Sequence, residues 1–200
     1  MRLPSPEEPR TRHSYITTFR IYLRNDTAVL LNLFRKDCVM TIRKATVDDI
    51  PLIRDLTYKV WPQTYSNILT KEQIDYMLNM MYSEASLKEQ MGKDHEFILI
   101  YDDKEPVGFA SFSLIATQIY KLHKIYVLPS QQGKGTGKYI IDELAKTMKA
   151  KGGTALQLNV NRHNKAKTFY ERLGFTVIKE EDIDIGNGYL MNDYVMERPL

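Results

Sequence analysis

The chain has 200 residues and a single cysteine, Cys38, which excludes an internal disulfide and any metal site built on several thiolates. No apolar run approaches the ~20 residues needed to cross a bilayer. Runs such as "FILIY" and "AVLLNLF" are the size of a strand or a short helix. The start, "MRLPSPEEPR", has acids and prolines where a signal segment would have an apolar stretch, so the expected location is the cytoplasm, with no membrane partner. A basic body is also missing. The net charge is +3, but residues 1–39 hold seven Lys/Arg against four acids, so residues 40–200 carry 21 of each sign. A neutral body argues against a nucleic-acid partner.

Hydrophobic residues make up 43% of the chain, enough for the core of one domain. Residues 1–39 open with three prolines in nine residues and read as an appended tail, disordered or arising from an upstream start codon. Residues 40–200 read as the compact domain. Within it, "TIRKA" is a short strand. Thr46 caps a helix running to about Trp61, with Asp49 favouring its positive end, and "PQTYSNIL" is a loop. Thr70 with Gln73 forms a capping pair for a second helix, whose Ile74, Met77, Leu78 and Met81 share one face. "EASLKEQM" is a third, short helix. Three strands follow ("EFILIYD", "PVGFASFSLIA", "YKLHKIYVLP"), the first two joined by the turn "DDKEP". A helix of about fifteen residues buries Ile141, Leu144, Ala145 and Met148 and ends at Gly152-Gly153. Then come a strand "TALQLNV", a helix "NKAKTFYERLG" stopped by Gly174, and closing strands "FTVIKEE" and "GYLMNDYVMER". The fold class is α/β (α+β), a mixed, mostly antiparallel sheet flanked by helices.

The densest motif is "LPSQQGKGTGKYI", Leu128 to Ile140, a glycine loop running into a helix. A P-loop would need G-x-x-x-x-G-K-[ST], but Gln132 stands five before Gly137, and Tyr139 follows Lys138. A dinucleotide fingerprint would need glycine at 138, where Lys138 stands. The remaining pattern is Gln132, Gly135, Gly137. Glycines let the backbone approach an anion, and the amides of residues 133–138 point at it from a helix N-terminus. Lys134 and Lys138 add charge at the rim. A plain strand-to-helix turn would need one glycine rather than three alternating ones.

Together with the Tyr-Val-Leu-Pro before it, this stretch resembles the acyl-CoA signature of the GCN5-related N-acetyltransferases. A second family signature is similar in "LNVNRHNKAKTFYERLGF", with Asn164, Ala166, Phe169, Tyr170, Gly174 and Phe175 in matching spacing. The resemblance spans roughly residues 40–198. It implies an acetyl-CoA-dependent transfer to an amine, with acetyl-CoA as co-substrate and no metal. It also implies contacts to the coenzyme from the loop (Gln132, Gly133, Lys134, Gly135, Thr136, Gly137, Lys138), from Asn164 and Lys167, and from the strand end Ile125, Tyr126 and Val127. There the Ile125 and Val127 backbone would hold the pantetheine arm and thioester. Members of the family often dimerise, so a homodimer is the corresponding expectation.

Acyl transfer needs an acid for the departing thiolate, a donor for the oxyanion and a route for the amine proton. Tyr170 suits the acid, since a phenol stays protonated at neutral pH; the same residue belongs to an apolar stripe with Ala166, Phe169 and Leu173, which would make it core. The Val127 amide suits the oxyanion. Asn164 serves equally as an N-cap. Where many family members carry a strand glutamate this chain has Lys121. His123, expected on the same face as Ile125 and Val127, is the alternative base, or the proton leaves through water. Trp61, Tyr65 and Tyr76 would wall the acceptor pocket, and Glu72 and Asp75 would attract a cation unless they face water. The aromatic, Pro and Thr-Tyr pattern with "YMLNMMY" is similar to polyamine N-acetyltransferase relatives. The acceptor is therefore read as a small-molecule amine, with a peptide amine or a non-catalytic acyl-CoA-binding module as alternatives.

Overall fold

In β2 (Glu96–Asp102) four consecutive residues are buried, so both faces of this strand must be covered. The structure, a computed structural model, describes residues 40–200, and the expectations for residues 1–39 lie outside the described residues. Seven strands form one sheet in the order β1-β2-β3-β4-β5-β7-β6. They are β1 (Met40–Lys44), β2, β3 (Glu105–Ala116), β4 (Ile119–Val127), β5 (Ala155–Asn161), β6 (Thr176–Asp184) and β7 (Leu190–Pro199). Every pairing is antiparallel except β4 with β5. The helices are α1 (Ile50–Tyr65), α2 (Lys71–Tyr82), α3 (Glu84–Gly92), α4 (Thr136–Ala150) and α5 (Ala166–Arg172). No helix among the described residues is long and apolar enough to cross a membrane.

Strand alternation divides the core in two. Ile98 and Ile100 pack with Ile140, Ile141, Leu144 and Met148 of α4, while Phe97 and Leu99 pack with α1, α2 and α3. Each large side chain fully removed from water contributes roughly 1.5–3 kcal/mol. The expected α4 stripe is present, with Ile140 buried more deeply than Ala145. Gly174 stops α5 as expected. Its φ is 86°, and the Phe175 amide donates to the Tyr170 carbonyl in the six-to-one bond of a left-handed helix end.

Two local expectations change. Thr46 precedes a single 3₁₀ turn, Val47–Asp49, and α1 proper begins at Ile50. At the other end α1 runs past Trp61 through Pro62 to Tyr65. A proline inside a helix forfeits a backbone bond. The Tyr65 ring, 4.6 Å from the Trp61 ring, ties the last turn to the core and offsets that loss.

The feature that positions the site is an extra residue in β4. Ser111 of β3 faces Lys124 and Phe112 faces Leu122, so His123 is a bulge. The β4–β5 ladder ends at Leu122 with Leu158, at the same place. Beyond it β4 continues to Val127 and β5 to Asn161 without pairing to each other. β3 holds β4 closely along this unpaired length. A methyl group on Gly108 would lie 2.5 Å from the Tyr126 carbonyl oxygen and 3.2 Å from the Val127 Cα. Backbone cannot yield as a side-chain tip can. Gly108→Ala is therefore expected to cost about 1–3 kcal/mol by forcing β4 off β3, measured by urea unfolding; an unchanged midpoint would contradict the close approach.

Candidate active site

The opening between β4 and β5 is lined by backbone. The Leu128 amide donates to the Val107 carbonyl of β3 at 2.8 Å. Amides alternate in direction along a strand, so those of Val127 and Ile125 point away from β3, into the opening. A cleft of about 1260 Å³ passes through it, bounded by the glycine loop at one end and by α1 and α2 at the other.

In the loop, the amides of Gln132 and Lys134 are used internally, donating to Pro129 and Gln131 carbonyls. The amides of Gly133, Gly135, Thr136, Gly137 and Lys138 have no acceptor among the described residues. The free set is thus narrower than all of residues 133–138. The glycines divide their work. Gly133 and Gly135 have φ of 75° and 84°, which a side chain disfavours, and a Cβ on either would meet nothing within 4 Å. Gly137 is a matter of space, since its Cβ would lie 3.1 Å from Phe169 Cζ. The Thr136 hydroxyl is buried, donating to Gln131, whose amide donates to Asp102 at 2.8 Å. Only the Thr136 backbone is left for a ligand. Lys138 is paired with Asp142, and Lys134 stands exposed outside the cleft lining. Free amides at the N-terminus of the fifteen-residue α4 fit a diphosphate.

Opposite the loop, Tyr170 is 9% exposed and lines the cleft. Its hydroxyl has no hydrogen-bond partner among the described residues. Burial, and then the nearby Tyr65, push its ionisation upward, which keeps the phenol protonated. Asn164 divides its two polar atoms. Its Oδ1 accepts from the Ala166 amide at 2.9 Å, capping α5, and its amide nitrogen is left for the cleft. Lys167 is placed otherwise than expected: it pairs with Glu171 at 2.6 Å, lies over the Tyr194 ring and does not line the cleft.

On the α1–α2 side, Tyr65 meets Tyr126 with hydroxyls 3.4 Å apart. Trp61 is 1% exposed and packs edge-on to Tyr82, so it supports the wall more than it forms the surface. Met77 and Met81 reach the cleft from the expected stripe. Tyr76 does not. Its hydroxyl donates to the Ile185 carbonyl at 2.6 Å and pins the β6–β7 turn to α2. Asp75 is held by Lys71 on the exposed face of α2, and neither it nor Glu72 lines the cleft.

His123 departs most from expectation. The bulge breaks the alternation, so it shares a face with Lys124 and Tyr126 rather than with Ile125 and Val127. It stacks on His95 at 4.1 Å and bonds the Ser113 hydroxyl at 2.8 Å. Burial, then His95, Lys124 and Lys121, lower its pKa to about 3, which makes it too weak a base for an ammonium ion. Lys124 is half-buried on the same side. Its Nζ donates to Gln90 at 2.6 Å above the Tyr82 and Phe97 rings, and burial lowers its pKa to about 8.

Asp193 of β7, 8% exposed, lines the cleft beside Asn159 and was not anticipated. A signal exists in the sequence. Met191, Asp193 and Val195 share one face of β7, so a charge interrupts an apolar register.

Two outcomes follow from these contacts. Gly137→Ala is expected to destabilise by about 1–3 kcal/mol through Phe169, and Phe169→Leu in the same chain should recover most of that loss, read as a double-mutant cycle in thermal unfolding. For His123 the unfolded imidazole takes up a proton near its ordinary 6.5 and the folded one only near 3. The unfolded state therefore binds more protons between those values, and stability falls as pH drops through that window. His123→Gln should flatten the slope of unfolding free energy against pH; an unchanged slope would contradict the buried neutral ring.

The Acetyltransferase (GNAT) domain family matches residues 66–198. Spermidine N(1)-acetyltransferase of Thermoplasma acidophilum is 29% identical over 163 residues, 78% of this chain and 95% of that protein. The ribosomal protein bS18-alanine N-acetyltransferase of Haemophilus influenzae is 30% identical over 108 residues, 54% of this chain and 70% of that protein. Among solved structures, the PaiA N-acetyltransferase of Thermoplasma acidophilum in complex with coenzyme A is similar with a TM-score of 0.68 at 28% identity, over 81% of this chain and 99% of that one. The Escherichia coli ribosomal-protein-S18-alanine N-acetyltransferase shares the fold, with a TM-score of 0.61 at 19% identity over 80% and 94%. With its seven-stranded sheet and flanking helices, this chain belongs to the GNAT acetyltransferase family and is an N-acetyltransferase.

Proposed function

We propose that the enzyme moves the acetyl group of acetyl-CoA to a primary amine of a small, polyamine-like molecule by direct attack. The observation that carries the reading is the β4–β5 opening, where the Ile125 and Val127 amides face the same cleft as the protonated Tyr170 hydroxyl. The loop amides of Gly133 and Gly135 to Lys138 would hold the diphosphate. The Asn164 amide and the Ile125 backbone would hold the arm. The complex of the PaiA relative with coenzyme A supports this assignment.

The amine nitrogen attacks the thioester carbon, and the Val127 amide stabilises the oxygen as it becomes negative. As the intermediate collapses the carbon–sulfur bond breaks. The sulfur leaves with the bonding pair and takes the Tyr170 proton, giving free thiol. The attacking amine loses its proton to water at the mouth of the cleft. Tyr170 then regains a proton from solvent. His123 takes no part, since its weak basicity and its Ser113 bond commit it elsewhere. The acceptor class rests on the spermidine-acetylating relative, which this chain matches over 95% of its length. A peptide α-amine is the second reading, favoured by the bS18-alanine relative at 30% identity.

Tyr170→Phe is expected to lower kcat about 100-fold or more, with the dissociation constant of coenzyme A nearly unchanged by calorimetry. Unchanged turnover would remove Tyr170 from the mechanism. Thiol release measured across spermidine, lysine and an alanine-initiated peptide separates the acceptor classes; turnover on the peptide alone would overturn the small-amine reading.

A further inference from the structure

We propose that Asp193 and Asn159 form an anchoring subsite for a second alkylammonium group of the acceptor, so that the enzyme prefers diamines to monoamines. The inference rests on the small-amine reading above and names the part of the cleft that would select within that class.

Asn161 of β5 faces Asp193 of β7 across the ladder, and Asn159 points to the same side two residues away. That side is the one occupied by α1 and α2, opposite the glycine loop, because Leu158 and Val160 between them pack into the other core. Asp193 is nine-tenths buried but lines the cleft. Its only hydrogen bond among the described residues is a long one, 3.4 Å, from the Asn159 amide nitrogen to Oδ2. Glu181 of β6, the ladder partner of Asp193, is itself held by Lys179. The Asn159 amide oxygen is buried and has no donor among the described residues. The site therefore offers two under-used acceptors, a carboxylate oxygen and an amide oxygen, against one weakly engaged donor, the Asn159 amide nitrogen.

An unpaired buried acceptor is costly, so a ligand rich in donors recovers free energy by binding both. An alkylammonium brings three N–H donors and a positive charge. The surrounding charges leave room for it. Lys121 of β4 and Arg162 after β5 attract Asp193 without forming an ion pair with it, and Glu181 opposes them. Arg162 is instead engaged by Glu180 and Asp182. Tyr65 of α1 flanks the carboxylate on the side of the Tyr126 and Tyr170 hydroxyls. A short carbon chain with an amine at each end would then set one end in the β4–β5 opening and the other at Asp193.

The test compares putrescine with n-butylamine, equal in chain length and differing in the second charge. For the wild-type enzyme the ratio of kcat/KM, putrescine over butylamine, should be ~10 or more, the effect of one charge-assisted contact. Asp193→Asn, nearly identical in shape, should bring the ratio toward 1, and Asp193→Glu should keep part of it. Turnover of both amines with a ratio that Asp193→Asn leaves intact would overturn the subsite while sparing the small-amine reading. If neither amine turns over, the subsite is judged by calorimetric binding of putrescine to the coenzyme A-loaded protein: equal or absent binding in wild type and Asp193→Asn overturns it, and binding weakened by Asp193→Asn supports it; the small-amine reading itself fails only if spermidine and lysine also give no turnover.

Discussion

The parting of β4 from β5 is the constraint on which the rest of the site depends. A sheet normally satisfies every backbone amide within it, because an amide removed from water without a partner is costly. Here the inserted His123 ends the parallel ladder at Leu122 and Leu158, and five further residues of β4 run on beside an opening. The amides of Ile125 and Val127 are left for something that is not protein. The geometry is rigid because β3 grips the other edge of β4, with Gly108 against the Tyr126 carbonyl. On the proposed mechanism an oxyanion site must be in place before charge develops, and backbone fixed on one side and free on the other would meet that need.

The same bulge explains what could be read from the sequence and what could not. The glycine loop, its helix and the Asn164–Tyr170 segment were legible because each is encoded over a few consecutive residues: φ above zero at Gly133 and Gly135, an Asx cap at Asn164, a left-handed stop at Gly174. The mixed sheet followed from strand and helix periods. His123 was misplaced because a one-residue insertion reverses the face of everything after it, and nothing in "YKLHKIYV" marks it. Tyr76 and Lys167 were misassigned for a related reason. Their partners, Ile185 and the Tyr194 ring, are supplied by β6–β7 and its turn, far away in sequence. Asp193 was overlooked although its inward register showed in Met191 and Val195.

The two sides of the sheet therefore carry different kinds of information. The donor side is local motif and backbone. The acceptor side is assembled from α1, α2, β4, β5 and β7, and its chemistry depends on side chains brought together over long separations. This is why the glycine loop identifies the donor handle and leaves the acceptor to be argued from charge.

That charge argument turns on the lysines. Lys121 and Lys124 both line the cleft, and two full positive charges there would repel a cationic amine. Lys124 weakens the objection. Its Nζ is turned onto Gln90 over two aromatic rings, and burial lowers its pKa to about 8, so its charge is less firmly held than that of an exposed lysine. Any negative charge brought near restores the proton, and any positive charge removes more of it. On the small-amine reading, a cationic acceptor would meet a lysine whose burial already disfavours its charge, and Asp193, poorly solvated and only loosely bonded, would be the group that gains from its arrival.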